Sequence, residues 1–273
     1  MLYKLYRKIL DRYQKNPDSF FARLVQIKIN VLVALLQRGQ KFHFPGRATG
    51  GWWWIERFRF EILMRWLEYE SVQRVRQVIQ PGMTVVDIGA HIGYYTRLLA
   101  DLVGASGRVL AFEPNPENFA VLQKNMPSSR YKNVELFNYA VGDKESVLPL
   151  YVSPGNSNHS LIQGYTEAQS VIEVRVVQLD SFLKERGVEQ VGFIKSDTEG
   201  AEPLVLAGMK NIAAHSPHLH LLMELNPTAL RCGNVEPEEF LETIRTMGFE
   251  IEMIKSDLSA KESDANMLCR KVL

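Results

Sequence analysis

The chain has 273 residues, 46% of them hydrophobic and 23% charged, the make-up of an ordinary globular protein with a real core. Two cysteines, Cys232 and Cys269, exclude a disulfide framework, and no CxxC pair is present for zinc. The longest apolar run, Val31 to Leu36, is far short of the ~20 residues a membrane span requires, and no secretory signal is visible. A reducing, cytoplasmic compartment is therefore expected. The net charge of +1 hides an asymmetry: residues 1–50 hold ten Lys and Arg against two Asp, and the remainder is net acidic. That split reads as a basic arm on a mildly acidic domain.

In chain order, residues 3–38 read as helix in two pieces, broken near Asn16-Pro17 because proline disfavours helix at the residue before it. Lys4, Arg7, Lys8, Arg12, Lys15, Arg23 and Lys28 share this segment with Phe20, Phe21, Leu24, Ile27 and Val31. A basic amphipathic helix of this kind suits either a peripheral membrane contact or packing on its own domain or a second subunit. Residues 39–51 read as a loop, and the run from Trp52 to Gln80 as helix stopped by Pro81-Gly82. Trp52-Trp53-Trp54 cannot share one helix face, which marks them as a candidate substrate or interface patch.

Beyond residue 82 short apolar strands alternate with helices: "MTVVDIG", "YYTRLLADLV", "RVLAFEP", "PENFAVLQKNM", "NVELFNYAV". This alternation predicts a parallel sheet covered on both faces. "SVLPLYVS" and "SVIEVRVVQLD" lack an intervening helix and are expected as an antiparallel insertion. "VGFIKSD" is strand, "AEPLVLAGMKNIAAH" helix, "HLHLLMEL" strand, "PEEFLETIRTMG" helix, and "FEIEMIK" and "NMLCRKV" are two last strands. The expected division is a helical extension over residues 1–80 and an α/β domain over 81–273.

A parallel sheet places its ligand at the carboxyl ends of its strands, and Asp87, Glu113, Asp197 and Glu224 all fall there. The first strand ends in Asp87 and runs into Gly89-Ala90-His91-Ile92-Gly93, whose glycines let backbone pass close under a ligand. This is not the Gly-x-Gly-x-x-Gly dinucleotide pattern. A carboxylate here repels a pyrophosphate and suits an ammonium or sulfonium cation, while the helix start beyond it favours a carboxylate. Glu113, twenty residues past Gly93, is placed to accept hydrogen bonds from a ribose diol. Together these charges describe S-adenosylmethionine better than NAD.

The stretches "VVDIGAHIGYYT", "AFEPNPENFAVLQKN", "NVELFNYAVGD", "NSNHSL" and "FIKSDTEGAEPLVLAGM" resemble, in order and spacing, the FkbM family of S-adenosylmethionine-dependent methyltransferases, over about residues 80 to 255. The resemblance implies an α/β, Rossmann-like class I fold with a seven-stranded, mostly parallel sheet whose last strand is antiparallel. It also implies methyl transfer to hydroxyls of sugars or natural products. Asp87, Gly89 and Gly93 would then line the methionine part, with Ala90, His91 and Tyr94 completing that loop. Glu113 would hold the ribose, Pro114 and Asn115 would sit beside the adenosine, and Ala140 and Val141 would flank the adenine. Asp197 would lie near the methionine amine or the reaction centre. Two departures stand out: His91 where the family usually has Asn, and Thr198 where it usually has a β-branched apolar residue.

Methyl transfer from a sulfonium needs alignment above all, and a sugar hydroxyl also needs a base. His159, Asp197, Glu199 and Glu224 are the candidate catalytic residues, with Glu202 read as structural at a helix start. An alternative set, Asp197, Glu224 and Asn226, has the oxygen donors of a Mg²⁺ site, although no metal is expected. The partner expected is a small-molecule or glycan hydroxyl acceptor, and the chain is open to self-association. Competing readings are a nucleic-acid methyltransferase, disfavoured by "DTEG" in place of Asn-Pro-Pro-aromatic, and a non-catalytic cofactor-binding scaffold, disfavoured by the intact acids.

Overall fold

Helix α1 (Leu2–Lys15) buries Tyr6, Leu10 and Tyr13, a stripe at helical spacing. The next helix, α2 (Phe20–Gln40), buries Ile29 and Val33, and the Gln26 amide donates to the Tyr13 hydroxyl at 2.7 Å. These coordinates are a computed structural model, which describes residues 2–15, 19–40, 42–44, 59–64, 66–154, 158–254 and 265–272. Trp52-Trp53-Trp54 lie outside the described residues. The chain divides into two compact units, 1–69 and 70–273. Within the first, residues 59–64 are helical, and the Tyr6 hydroxyl donates to the Glu61 carboxylate at 3.0 Å beside Phe60 and Trp66. The single helix expected after Trp52 is interrupted: Glu68 adopts φ 46°, a left-handed conformation that ends a helix.

The second unit opens with α3 (Tyr69–Val78), whose Val72 and Val75 are buried in a core shared with the sheet. The sheet strands are β1 (Thr84–Ile88), β2 (Arg108–Phe112), β3 (Val134–Phe137), β7 (Phe193–Ser196), β8 (His220–Leu225), β9 (Phe249–Ile254) and β10 (Ala265–Lys271). Their order is β3-β2-β1-β7-β8-β10-β9, parallel except that β10 runs antiparallel to both its neighbours. Side chains alternate across it. Val86, Ile88, Leu110 and Phe112 enter one core, and Val85, Val109, Ala111 and Phe193 enter the other with Leu98, Leu99 and Leu122. Covering elements on this unit include α4 (Tyr94–Val103), α5 (Pro116–Asn125), α9 (Pro227–Cys232) and α10 (Pro237–Thr246). The α/β architecture agrees with the expectation from the alternating pattern, and its seven strands with the fold that the FkbM resemblance implies.

Three local features depart from it. "NVELFNYAV" is not one strand. It ends in the main sheet at Phe137, and β4 (Ala140–Gly142) resumes in a second sheet of order β4-β6-β5. At the crossing the Asn138 amide donates to the carbonyls of Glu113 and Pro114, at 2.8 and 3.0 Å, which turns the chain away from β2. In the second sheet β5 (Ser146–Val152) and β6 (Ser170–Gln178) are antiparallel as expected, while β4 joins β6 in parallel. The end of "SVIEVRVVQLD" turns into a short helix, α6 (Leu179–Lys184), from which Asp180 accepts the amides of Asn211 and Ile212 at 2.8 Å each. "AEPLVLAGMKNIAAH" is two helices, α7 (Glu202–Gly208) and α8 (Lys210–His215). Gly208 passes so near β4 that a Cβ there would lie 2.0 Å from the Gly142 carbonyl oxygen.

Candidate active site

The carboxyl ends of β1, β2, β7 and β8 form one rim, and the four acids expected there are there. Asp87 is fully buried, since its position puts it on the same sheet face as Val85, under α4. Its Oδ2 accepts the Thr96 hydroxyl at 2.6 Å, and its Oδ1 is buried with no hydrogen-bond partner. Burial pushes the Asp87 carboxyl above its ordinary value, opposed chiefly by the Lys195 ammonium. A buried carboxylate oxygen left open costs free energy unless a ligand donor meets it.

The turn after β1 is shaped by left-handed backbone. Gly89 has φ 74°, and a Cβ there would fall 1.9 Å from the Asp197 carbonyl oxygen, so this position holds β1 and β7 loops in direct backbone contact. Gly93, at φ 92°, starts α4, and a Cβ there would meet Leu122 at 2.8 Å. His91 sits between them at φ 51°. Asn is the residue other than glycine most at ease in this conformation, and His tolerates it too, which accounts for the substitution at this position.

Glu113 is buried, and its two oxygens accept the backbone amides of His91 at 2.8 Å and Asn115 at 2.9 Å. Burial raises its pKa to about 7 against those two bonds. The Asn118 side chain hydrogen-bonds to this carboxylate as well, which leaves one acceptor position for a ribose hydroxyl. Asn115 caps α5, its side-chain oxygen accepting the amides of Glu117 and Asn118 at 2.9 and 3.1 Å. Tyr94 is the first residue of α4; Ala90 and Val141 are buried in the two cores of the main sheet, and Ala140 in a separate core of the second sheet.

Lys195 was not singled out in the sequence, and it sits at the centre of this rim. It pairs in register with Asp87 on the adjacent strand, so both side chains face the same way. Its ammonium donates to the Gly89 carbonyl and to Asp197 Oδ2, both at 3.1 Å, and lies 5.4 Å from the centre of the Tyr95 ring. The available signal was a charged residue two positions before Asp197 in a strand covered on both faces, where every other residue of that phase is apolar.

Beyond Asp197 the chain makes a tight acid loop. Glu202 is buried and accepts the amide and hydroxyl of Thr198, at 2.6 and 2.8 Å, and the amide of Gly200 at 2.9 Å. Glu202 is a clamp on the loop, and Thr198 supplies a hydroxyl that an apolar residue would lack. The clamp holds Glu199 at φ 55°. Glu199 Oε2 accepts the Tyr165 hydroxyl at 2.7 Å, and its carbonyl accepts the Ser160 hydroxyl at 2.7 Å. Carboxylate oxygens of Asp197, Glu199 and Glu224 all lie within 4.8 Å of one another, each residue half-buried. Asn226 is linked to Glu199 through the Tyr165 hydroxyl. Its oxygen caps α9 through the Ala229 amide at 3.0 Å, and its amide donates to Tyr165 at 2.9 Å. Asn226 is the N-cap of the following helix, so one lone pair of its oxygen is engaged there.

His159 lies on the segment that reaches over this loop, next to Ser160. Its Nδ1 accepts the Ser153 amide at 3.1 Å, and its Nε2 is buried with no hydrogen-bond partner. Burial lowers its pKa to about 4, so the ring is neutral at physiological pH. With Nδ1 accepting, the neutral ring carries its proton on Nε2. In this geometry the unsatisfied function of His159 is a donor, and acceptance of a proton would require Nδ1 to leave Ser153.

Residues 87–251 match the Methyltransferase FkbM domain, well over half of the chain. The chain belongs to the FkbM methyltransferase family. Among curated relatives, 31-O-demethyl-FK506 methyltransferase FkbM of Streptomyces tacrolimicus is 30% identical over 162 residues, 49% of this chain and 62% of that protein. The 2-O-methyltransferase NoeI of Sinorhizobium fredii is 27% identical over 160 residues, 51% of this chain and 64% of that protein. The matched segments thus span less than two thirds of either relative's length. In fold, a Clostridium thermocellum protein provisionally named an rRNA-methylase superposes with a TM-score of 0.50 at 14% identity, over 75% of this chain and 95% of that one. The FkbM domain is an S-adenosylmethionine-dependent methyltransferase domain of the class I fold. Its residues fit that cofactor: the open Asp87 oxygen suits the amine, the glycine turn leaves room for the methionine, and Glu113 retains an acceptor position for a ribose hydroxyl.

Proposed function

We propose that this FkbM domain methylates a hydroxyl oxygen of a saccharide or natural-product acceptor bound over the ends of β7 and β8. The observation that carries the reading is the convergence of Asp197, Glu199 and Glu224 within 4.8 Å of one another, beside the Gly89 turn. The names of the two relatives, both O-methyltransferases, support the same class of acceptor.

Bound S-adenosylmethionine supplies a methyl group on an electrophilic sulfonium. The protein's part is alignment and proton removal. Asp87 and Glu113 anchor the donor, and Lys195 keeps the Gly89 turn and the Asp197 carboxylate in place. The acceptor oxygen gains the methyl, and its proton passes to a carboxylate of the acid trio. His159, neutral and carrying its proton on Nε2, donates a hydrogen bond to the acceptor and positions it. We place His159 there because its neighbour Ser160 bonds to Glu199.

The test is a mass-spectrometric screen of the purified protein with S-adenosylmethionine and a panel of mono- and oligosaccharides and polyketide-type alcohols. A methylated saccharide or alcohol is the expected product, and methylated RNA or DNA would replace this reading. Asp197→Asn and Glu224→Gln are each expected to lower kcat by about 100-fold or more, the usual worth of a general base. A chelator separates two uses of the acids. Turnover that survives it supports proton transfer to a carboxylate, and loss restored by Mg²⁺ assigns the trio to an ion instead.

A further inference from the structure

Helix α2 is apolar on two opposite faces. Ile29 and Val33 are buried. On the other side Leu24, Ile27, Val31, Leu32 and Leu35 are 41%, 59%, 54%, 45% and 58% exposed. Leu24, Ile27, Val31 and Leu35 follow one another at three- and four-residue steps, so they form a single stripe roughly 18 Å long. Single exposed aliphatic residues are ordinary, but a continuous line of them marks a contact surface.

Charge decides what the stripe meets. Residues 20–40 contain no Asp or Glu. Lys28 is exposed within the stripe, and Lys4, Lys8 and Arg12 are exposed on α1. A nucleic acid would answer the positive charge, yet it offers no apolar interior for five aliphatic side chains. A second copy of α2 would answer the stripe, yet it would set two acid-free, cationic helices against each other. An anionic lipid surface answers both, because the acyl boundary takes the aliphatic side chains and the headgroups take the cations, with Lys28 extending its ammonium outward. Among the described residues no helix is long and apolar enough to cross a membrane, so the helix would lie in the plane of the surface.

We propose that α2 docks this protein onto anionic membranes through the Leu24–Leu35 stripe. The test is co-sedimentation of the full chain with phosphatidylcholine vesicles, with and without phosphatidylglycerol. Binding is expected only with the anionic lipid and is expected to weaken as salt rises. Ile27→Glu with Val31→Glu should lower the bound fraction at least about tenfold by removing two inserted aliphatic groups. S-adenosylhomocysteine affinity should stay unchanged, since every residue assigned to the cofactor lies in 70–273. If circular dichroism shows that the glutamate pair unfolds the helix, Ile27→Gln with Val31→Gln replaces it, with the same loss expected. Absence of wild-type binding to anionic vesicles would overturn the proposal. So would equal binding by wild type and variant, or a dimer by light scattering that the substitutions dissociate in a chain that ignores vesicles.

Discussion

Asp87 and Lys195 are opposite charges on adjacent strands, buried side by side, and each makes the other tolerable. Removing one partner of a buried pair leaves an uncompensated charge. Lys195→Met is therefore expected to destabilise the protein by about 3 kcal/mol in urea unfolding at pH 7.5. The defect should shrink as pH falls, because Asp87 without its ammonium takes up a proton. Glu113 carries a second pH signature. Its pKa is raised to about 7 from an unfolded value of 4.5, so the stability that its protonated form contributes is full below 4.5 and lost as pH rises through about 7. Cofactor binding runs the other way, since a diol donates best to the ionised carboxylate. Affinity for S-adenosylhomocysteine, measured by calorimetry, should rise with pH up to about 7, by at most about tenfold per pH unit, and then level off. Glu113→Gln should bind more weakly and show a flat profile. These residues differ in legibility. Asp87 and Glu113 were legible because each acid ends an apolar run. Lys195 was not, because a lysine in a strand reads as exposed until its neighbours are known.

At the scale of elements, the site is made by loops that touch. The β1 and β7 loops meet where Gly89 lacks a side chain, so Gly89→Ala places a methyl 1.9 Å from the Asp197 carbonyl and strains φ 74° as well. Loss of measurable cofactor binding and a drop in melting temperature are expected. Gly104→Ala is the comparison: its φ is 66°, but nothing lies within 4 Å of the added carbon. Its ψ of −171° is a backbone region that side chains avoid, so the change should cost about 1–3 kcal/mol through strain alone and leave cofactor binding unchanged. The glycine turn and the strand–helix rhythm were legible because both are local. The break between β3 and β4 was not, since it depends on Asn138 bonding to carbonyls 24 and 25 residues earlier in the chain. The division of α7 from α8 depends in the same way on how closely Gly208 approaches β4.

For the whole molecule, the contact division after Tyr69 puts every residue assigned to cofactor and proton transfer into 70–273. A chain beginning at Glu70 is accordingly expected to bind S-adenosylhomocysteine within about threefold of the full chain. The check is calorimetry on both. A much weaker shortened chain would mean that the first unit supports the site. The amino-acid order by itself determined the class of fold and the carboxyl-end rim, because periodicity, strand-ending acids and glycine spacing are properties of neighbouring residues; the family came from the resemblance of whole motifs. Tertiary structure alone decided that Lys195 lies between two carboxylates and that Glu199 joins Asp197 and Glu224. It alone decided, too, that His159 offers a donor. Those outcomes depend on which buried polar atoms find partners across the sheet, and hydrogen bonds between residues distant in the chain leave no mark on local pattern.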